Sequence, residues 1–280
     1  MAEDVLTIIV LLYTVSNVMT LGLEAQLGVA RMNLRKPGMI SLILLWGWIV
    51  GPLVAMTIIW LIPLSPGHAA GLLLISLAPA APFYPIFVRK ANADMAFAAA
   101  FMLVASIGTV LLLPMLAPIL IGDLDLGAWA LAKPLIVMVL LPLLAGSALR
   151  FYQPDLSETL LPFVKRTGDV SLILCMLSIV WFYRTDLVSA IGSFAPGSIL
   201  LFLIAITVVS FRLSFGLDYK ERSGMALGMC SRNLAPVFAA YFGIPDPPEG
   251  LLAVIILSAP LALIVTGLAA RIFSWTAATN

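Results

Sequence analysis

The sequence predicts an all-α integral membrane protein, and three observations support that prediction. Hydrophobic residues make up 62% of the 280 positions and charged residues only 10%, whereas a soluble domain carries about 25% charged residues. The apolar residues fall into stretches of about 20, the length that an α-helix needs to cross the hydrocarbon core of a bilayer. The connections are short and rich in proline, glycine and aspartate. The outer surface of the folded chain is therefore expected to face lipid.

Nine apolar stretches are predicted to cross the membrane, with no polar stretch long enough to form a soluble domain. The first follows Met1-Ala-Glu-Asp, which lacks the basic region of a cleaved signal peptide, so it is expected to remain as a helix. Asp169 is expected to open the sixth helix as an N-terminal charge. The predicted spans are 5–27, 38–62, 69–88, 94–121, 128–149, 169–183, 197–216, 223–242 and 250–270.

The basic residues are distributed very unequally between the two sides of this topology. Two, Lys133 and Arg184, fall on one side, and the other side holds twelve: Arg31, Arg35, Lys36, Arg89, Lys90, Arg150, Lys165, Arg166, Arg212, Lys220, Arg222 and Arg271. Positively charged loops stay cytoplasmic. We therefore predict an inner-membrane protein with its N-terminus outside and its C-terminus in the cytoplasm.

The third and eighth spans are each interrupted near the centre. The third reads Leu77-Ala-Pro-Ala-Ala-Pro-Phe-Tyr-Pro, with prolines at 79, 82 and 85, and each proline removes a backbone donor and clashes with the preceding turn. The eighth reads Gly228-Met-Cys-Ser-Arg-Asn-Leu-Ala-Pro. Unwound backbone at this depth is tolerated only where it is buried in protein or lines a wet cavity, so both spans are expected to be broken helices.

The positions of the two breaks suggest an internal repeat. If the first helix of an ancestral five-helix repeat is missing, helices one to four correspond to helices six to nine, and the third helix pairs with the eighth. An odd number of helices makes the two repeats inverted. Interrupted segments at matching places in two halves are a strong sequence pointer to the binding site of a transporter.

Arg232 places a charge within the second break. A charge at the centre of a bilayer costs about 3 kcal/mol on insertion scales. An acidic partner, carbonyls freed by the breaks, water or an anionic substrate could each compensate this cost. Half-helix N-termini that face such a site would favour an anion as well.

Composition and motifs argue against other classes of function. The chain has one histidine and two cysteines, and it contains no Gly-x-Ser-x-Gly, His-Glu-x-x-His or phosphate-loop motif, so neither an enzyme, a metal site nor a bound cofactor is expected. Fifteen basic residues balance fourteen acidic ones, which gives no indication of a nucleic-acid partner.

The sequence resembles the bile acid:sodium symporter family at four places in order. These are Ser16-Asn-Val-Met-Thr-Leu-Gly-Leu, the proline-rich break, Lys90-Ala-Asn-Ala-Asp-Met-Ala-Phe and Gly228-Met-Cys-Ser-Arg-Asn-Leu-Ala. The resemblance implies nine helices of an original ten, with two broken helices crossing in a core domain. It assigns the panel helices to about 5–27, 128–149 and 169–183, and the core helices to about 38–121 and 197–270. Alternating access and organic-anion cargo are also implied.

The positions that the family uses for sodium differ here. The Ser-Asn pair falls at Tyr84 and Pro85, and a glutamine falls at Gly47. The remaining ion-binding positions fall at Ala98, Met102, Ala226 and Cys230. Because sodium needs oxygen ligands, the chain looks like a divergent bacterial branch without the two sodium sites, in which Arg232 supplies a fixed positive charge instead.

The function predicted from the sequence is secondary transport of a small organic anion within the lipid bilayer. Arg232 is expected to hold the negative charge of the substrate, and the other predicted lining residues are Pro82, Tyr84, Pro85, Ser231 and Asn233. Tyr84, Ser231 and Asn233 would donate hydrogen bonds. Two alternatives remain open outside anion transport: a membrane sensor that binds a ligand without moving it, and a metalloid exporter that uses Cys230.

Overall fold

The computed structural model describes residues 2–24, 37–122, 128–182 and 184–279. The predicted end of the first helix at 25–27 lies outside these residues, as do Tyr183 and the basic residues Arg31, Arg35 and Lys36. Within the described residues the regular structure is helical, apart from one isolated β-bridge. The chain is therefore all-α, as the composition predicts.

The helices are labelled in chain order. They are α1 Ala2–Glu24, α2 Pro37–Leu45, α3 Gly51–Leu61, α4 Pro66–Ser76, α5 Tyr84–Lys90, α6 Met95–Ile121, α7 Ala128–Leu135, α8 Leu141–Tyr152, α9 Pro154–Phe182, α10 Arg184–Ile191, α11 Ala195–Leu213, α12 Tyr219–Cys230, α13 Leu234–Tyr241 and α14 Leu251–Thr279.

Six helical stretches in the described residues are long and apolar enough to cross a membrane: Val5–Glu24, Gly38–Leu61, Met95–Ile121, Trp129–Tyr152, Ala195–Leu213 and Leu251–Ala277. Large apolar side chains cover their outer faces; Ile119, for example, is 74% exposed. A soluble protein rarely exposes continuous apolar faces of this size. The protein is therefore an integral membrane protein.

One predicted boundary is wrong in a way that matters for the site. The sixth span was expected to begin at Asp169, but α9 begins at Pro154, so Asp169 lies in the middle of a long helix. The charged residues Glu158, Lys165 and Arg166 precede it on α9. These charged residues delimit the start of the apolar stretch but do not interrupt the helix, because Glu, Lys and Arg are good helix formers.

Two π-helical turns interrupt otherwise continuous helices. Trp46–Val50 joins α2 to α3, and Ile136–Leu140 joins α7 to α8. A proline follows each turn closely, at Pro52 and at Pro142. A proline within a helix lacks the N–H donor and clashes with the carbonyl four residues earlier. The wider π turn relieves that clash without breaking the helix.

Helices α1, α8 and α9 pack tightly against one another. At the contact between α1 and α8, a Cβ atom placed on Gly22 would lie 2.5 Å from the carbonyl oxygen of Leu143. A Cβ atom on Gly146 would likewise lie 2.5 Å from the carbonyl oxygen of Met19. Because both positions lack a side chain, the two backbones touch directly, as small residues allow in membrane proteins.

The two broken spans pack among the remaining helices. The half-helices α4 and α12 contact α14 and α11, and α12 also contacts α6. Half-helix α13 is the part of the second broken span that contacts α1. The two breaks therefore lie inside the protein, between α11 and α14 on one side and the group formed by α1, α8 and α9 on the other.

Candidate functional site

The first break separates α4 from α5 and contains residues 77–83. Within it Ala80 has a backbone φ of +64°, the left-handed region that residues other than glycine, asparagine and aspartate seldom adopt. Pro79, Pro82 and Pro85 follow at intervals of three residues, so the i to i−4 ladder cannot continue through them. The break predicted from the proline spacing is confirmed.

The second break separates α12 from α13 and contains only Ser231, Arg232 and Asn233. Ser231 and Asn233 have extended backbone conformations. The side-chain oxygen of Asn233 accepts a hydrogen bond from the backbone N–H of Ala235 at 3.2 Å, which caps the N-terminus of α13. This predicted break is confirmed as well.

The two breaks cross and satisfy each other's backbone groups. Pro79 and Arg232 form an antiparallel β-bridge. The N–H of Ala80 donates to the carbonyl of Gly228 at 3.0 Å, and the N–H of Asn233 donates to the carbonyl of Ala78 at 2.9 Å. An unpaired backbone group would be costly away from water. Each break therefore supplies hydrogen-bond partners for the other in the interior of the protein.

The guanidinium of Arg232 lies at the C-terminal ends of both half-helices. Its Nη1 donates to the carbonyls of Ile75 and Ser76 at 3.4 and 3.1 Å, and its Nη2 donates to the carbonyl of Met229. Carbonyls in the last turn of a helix lack intrahelical partners and carry partial negative charge. Residue Arg232 is only 2% exposed, so these carbonyls provide its main electrostatic compensation.

An aromatic ring and a glycine complete the surroundings of this guanidinium. The ring centroid of Phe202 lies 4.8 Å from the guanidinium carbon of Arg232, within the range of a cation–π contact. A Cβ atom on Gly51 would lie 3.2 Å from the carbonyl oxygen of Ser76. Helix α3 therefore packs closely behind the carbonyls that bind Arg232. The sequence could not indicate this, because the acceptors lie 156 and 157 positions away.

Three side chains that were predicted to donate hydrogen bonds to the substrate make bonds within the protein: two donate through a hydroxyl, and Asn233 accepts through its oxygen. The hydroxyl of Tyr84 donates to the carbonyl of Gly224 at 2.9 Å, and that of Ser231 donates to the carbonyl of Gly228 at 3.2 Å. Asn233 caps α13 with its side-chain oxygen. All three are buried, and none is among the described residues that line the adjacent cavity. In this conformation they hold the crossing together.

A cavity of about 1070 Å³ ends at the crossing. Among the residues predicted to bind the substrate, Pro82, Pro85 and Arg232 line it. Among the family's ion positions, Ala98 and Met102 line it, whereas Ala226 and Cys230 are buried elsewhere and are not among its described lining residues. The structure thus brings together the prolines of the first break, the arginine of the second break and the start of α6.

The opposite wall of the cavity is formed by α1, α8 and α9. Its polar side chains are Asn17 and Thr20 from α1, Ser147 from α8 and Asp169 from α9. Sequence reasoning missed this wall, and it interpreted Asp169 as a helix-opening charge. Polar residues within otherwise apolar helices were the available signal, since such residues usually face the interior of a helix bundle or a wet cavity.

Basic residues surround the mouth of the cavity. Arg89 and Lys90 lie at the end of α5, and two further cations are in ion pairs across the three-helix group. Lys165 contacts Glu24 at 2.7 Å, and Arg150 contacts Glu158 at 3.0 Å. Among the described residues, five basic and three acidic side chains line the cavity. Its mouth therefore opens on the side where the basic loops are predicted.

Two discontinuous helices that cross beside a cavity inside a helical membrane protein define the class of site found in secondary transporters. The chain matches the sequence profile described as the Sodium Bile acid symporter family over residues 8–217. This match spans three quarters of the chain, and the chain belongs to that family, which is one of membrane transporters. The match contains the first break and ends before the second. Comparison with curated proteins finds none that matches this chain.

Proposed function

We propose that this protein is a secondary transporter that moves a small organic anion by alternating access. The observation that carries the proposal is the cavity that reaches the crossing of the two breaks and has Arg232 at its inner end. Transporters commonly bind their cargo beside discontinuous helices near the bilayer midplane. An inward-facing cavity with this geometry would be one of the two states between which the transporter alternates.

The charge of the cavity supports an anion as cargo. The described part of its lining carries two more basic than acidic side chains. Two of the basic residues at the mouth, Arg89 and Lys90, belong to no ion pair in that part of the chain. A cavity lined by an excess of one sign raises the local concentration of ions of the opposite sign. Arg89 and Lys90 would attract the anion into the cavity.

Sodium-independent movement is the second part of the proposal. The carbonyl ends of half-helices are the groups that commonly coordinate a sodium ion in transporters with broken helices. Here the carbonyls of Ser76 and Met229 accept hydrogen bonds from Arg232 instead. The side chains of Ala98, Met102 and Cys230 offer no oxygen. The guanidinium of Arg232 would thus occupy the position at which a coupling sodium ion would otherwise bind.

The architecture proposed for transport has nine spans in an inverted repeat with a panel and a core. The panel would be α1, the α7–α8 helix and α9, which pack on one another through Gly22 and Gly146. The core would contain both broken spans. The N-terminus would lie outside and the C-terminus in the cytoplasm of the bacterial inner membrane, with Trp60, Trp129 and Trp181 at the outer interface, where aromatic residues concentrate.

The experiment that tests the proposal begins with purified protein and a screen of thermal stability. Taurocholate, benzoate, octanoate and dicarboxylates would be compared as sodium and as choline salts, since a ligand that binds the native state raises its stability by mass action. A stabilising anion would then be used for counterflow in proteoliposomes. We expect counterflow in choline as well as in sodium medium.

Three outcomes would change the proposal. A strict requirement for sodium would remove its sodium-independent part. Binding of an anion without exchange across the vesicle membrane would indicate a sensor. Binding of an arsenite or antimonite probe that depends on Cys230 would indicate a metalloid exporter, although Cys230 is buried and apart from the cavity lining in the described residues.

A further inference from the structure

Asp169 lines the cavity from α9, and its exposed side chain lies beside the apolar span of α1. A Cβ atom placed on the neighbouring Gly168 would lie 3.5 Å from the backbone nitrogen of Asn17. Asp169 therefore lies at about the level of Asn17 along α1. Asn17 is about 4 Å from the middle of the apolar span Val5–Glu24 at the helical rise per residue. An ionisable side chain near the middle of a membrane is usually part of a functional site or a proton pathway.

The carboxylate of Asp169 has no ion-pair partner among the residues that the structure describes. The nearest cations on its own helix are Lys165, which is paired with Glu24, and Arg166. From α8 the charged group is Arg150, which is paired with Glu158. Across the cavity the charged groups are Arg89, Lys90 and Arg232, and the last of these is bound to backbone carbonyls. The side chain of Asp169 is exposed, so water in the open cavity would solvate this carboxylate.

Closing the cavity would change the energetics of this carboxylate. Alternating access requires that the cavity loses its contact with the cytoplasmic solution, and water would then leave Asp169. Burying an ionised carboxylate without a partner costs several kcal/mol, and the group takes up a proton instead when it can. A protonated Asp169 could enter the closed state at a far lower cost than a charged one.

We infer that Asp169 is the proton-binding site that couples closure of the cavity to proton uptake. This inference rests on the proposed transport function and gives it a coupling ion, in place of the sodium that the crossing no longer holds. The oxygen of Asp169 would gain a proton from the cytoplasmic solution as the cavity closes, and it would release that proton to the outer solution when the site opens to that side.

The test measures closure of the cavity without any knowledge of the cargo. In a background with Cys175→Ala and Cys230→Ala, the variant Ser106→Cys places a thiol in the cavity lining. Its rate of reaction with a bulky hydrophilic maleimide would be measured at about pH 5 and about pH 8. The matched control is Leu156→Cys on α9, outside the cavity lining and 42% exposed. The ratio of the two rates removes the intrinsic pH dependence of thiol reactivity.

Lower pH should favour the closed state, because that state binds the extra proton. The relative labelling of Ser106→Cys should therefore fall as the pH falls, by up to tenfold per pH unit, the approximate limit for one proton. Asp169→Asn and Asp169→Ser should remove this dependence, because their side chains stay neutral at every pH. Asp169→Glu should keep it.

Two results would overturn the inference: relative labelling that does not change with pH in the parent protein, or a pH response that persists in both Asp169→Asn and Asp169→Ser. Failure of the proposed function would look different. A pH response that disappears in Asp169→Asn, together with no anion counterflow in the parent, would keep the proton site and reject anion transport.

Discussion

The crossing of the two breaks and the wall formed by α1, α8 and α9 face the same cavity but use polar groups in opposite ways. At the crossing, the polar side chains bond to the backbone. The hydroxyls of Tyr84 and Ser231 donate to carbonyls, the oxygen of Asn233 accepts from an N–H, and Arg232 donates to three carbonyls. On the wall, Thr20 donates to the carbonyl of Ser16 and Asn17 bonds to Tyr13, whereas Ser147 and Asp169 face the cavity without such bonds among the described residues. The comparison indicates that the crossing holds the fold, whereas the wall is available to a ligand.

The largest expected effect is that of Arg232→Ala. Removing the guanidinium takes away the side-chain donor of the carbonyls of Ser76 and Met229, whereas that of Ile75 still accepts from the N–H of Ala78. We expect a loss of about 3 kcal/mol or more in the free energy of unfolding, because hydrogen bonds to charged groups are among the strongest. Transport should be abolished as well.

Sodium provides a sharper test of the same substitution. The freed carbonyls of Arg232→Ala would resemble the half-helix ends that coordinate sodium in other transporters. The melting temperature of this variant in detergent should rise when choline is replaced with sodium, while that of the parent should not. Arg232→Lys, which keeps a positive charge, is the matched control and should show no sodium effect. Equal responses of parent and Arg232→Ala would contradict the idea that Arg232 replaces a cation.

Gly228→Ala tests how tightly the crossing is packed. A Cβ atom at this position would lie 2.5 Å from a ring carbon of Phe101. We expect a loss of about 2 kcal/mol in the free energy of unfolding, the usual cost of overpacking a core. Gly197→Ala, whose Cβ would meet nothing within 4 Å, is the control and should melt within a degree or two of the parent.

Smaller effects are expected for one substitution at the crossing, Tyr84→Phe, and one on the wall, Ser147→Ala, and the two should differ in kind. Tyr84→Phe removes the hydroxyl that donates to Gly224 and should cost about 1 kcal/mol of stability, with the affinity for a stabilising anion unchanged. Ser147→Ala should do the reverse, since its hydroxyl faces the cavity. Thermal unfolding with and without the anion measures both quantities. A loss of affinity in Tyr84→Phe would show that the crossing contacts the ligand after all.

The smallest effect is expected for Cys230→Ser. The thiol is buried at the end of α12, next to Thr207 and Thr266, and it lies apart from the cavity lining in the described residues. Anion counterflow should stay within about twofold of the parent, as for most substitutions away from a functional contact. Loss of transport with retained stability would restore the metalloid alternative.

The sequence predicted the crossing better than the wall, for a physical reason. Three prolines at a spacing of three, and a charged Arg-Asn pair in an apolar helix, are local features that end a helix whatever surrounds them. Two of the three carbonyl partners of Arg232, those of Ile75 and Ser76, are far away in the sequence, so the sequence left open the choice between carbonyls and an anion.

The sequence did not predict the wall formed by α1, α8 and α9, because hydrophobicity alone does not show where α9 begins. In α9 the residues before Asp169 are charged on one face, and an apolar window therefore began at Asp169 itself. The helix continues through them because helix formation depends on backbone hydrogen bonds, and these tolerate Glu, Lys and Arg well. A carboxylate that seemed to mark a helix end thus belongs to the middle of a helix.

The π turn Trp46–Val50 determines how α3 is oriented relative to α2, and α3 packs against the crossing at Ser76. It contains one residue more than an α-helix would need between α2 and α3. Deleting one residue would restore a regular helix but rotate α2 relative to α3 by about 100°. Gly51 could then not lie behind Ser76 while Trp48 packs on Gly108. Deletion of one residue from this turn should therefore destabilise the protein, although it removes no polar contact. The extra residue of the π turn is needed to keep both contacts in place.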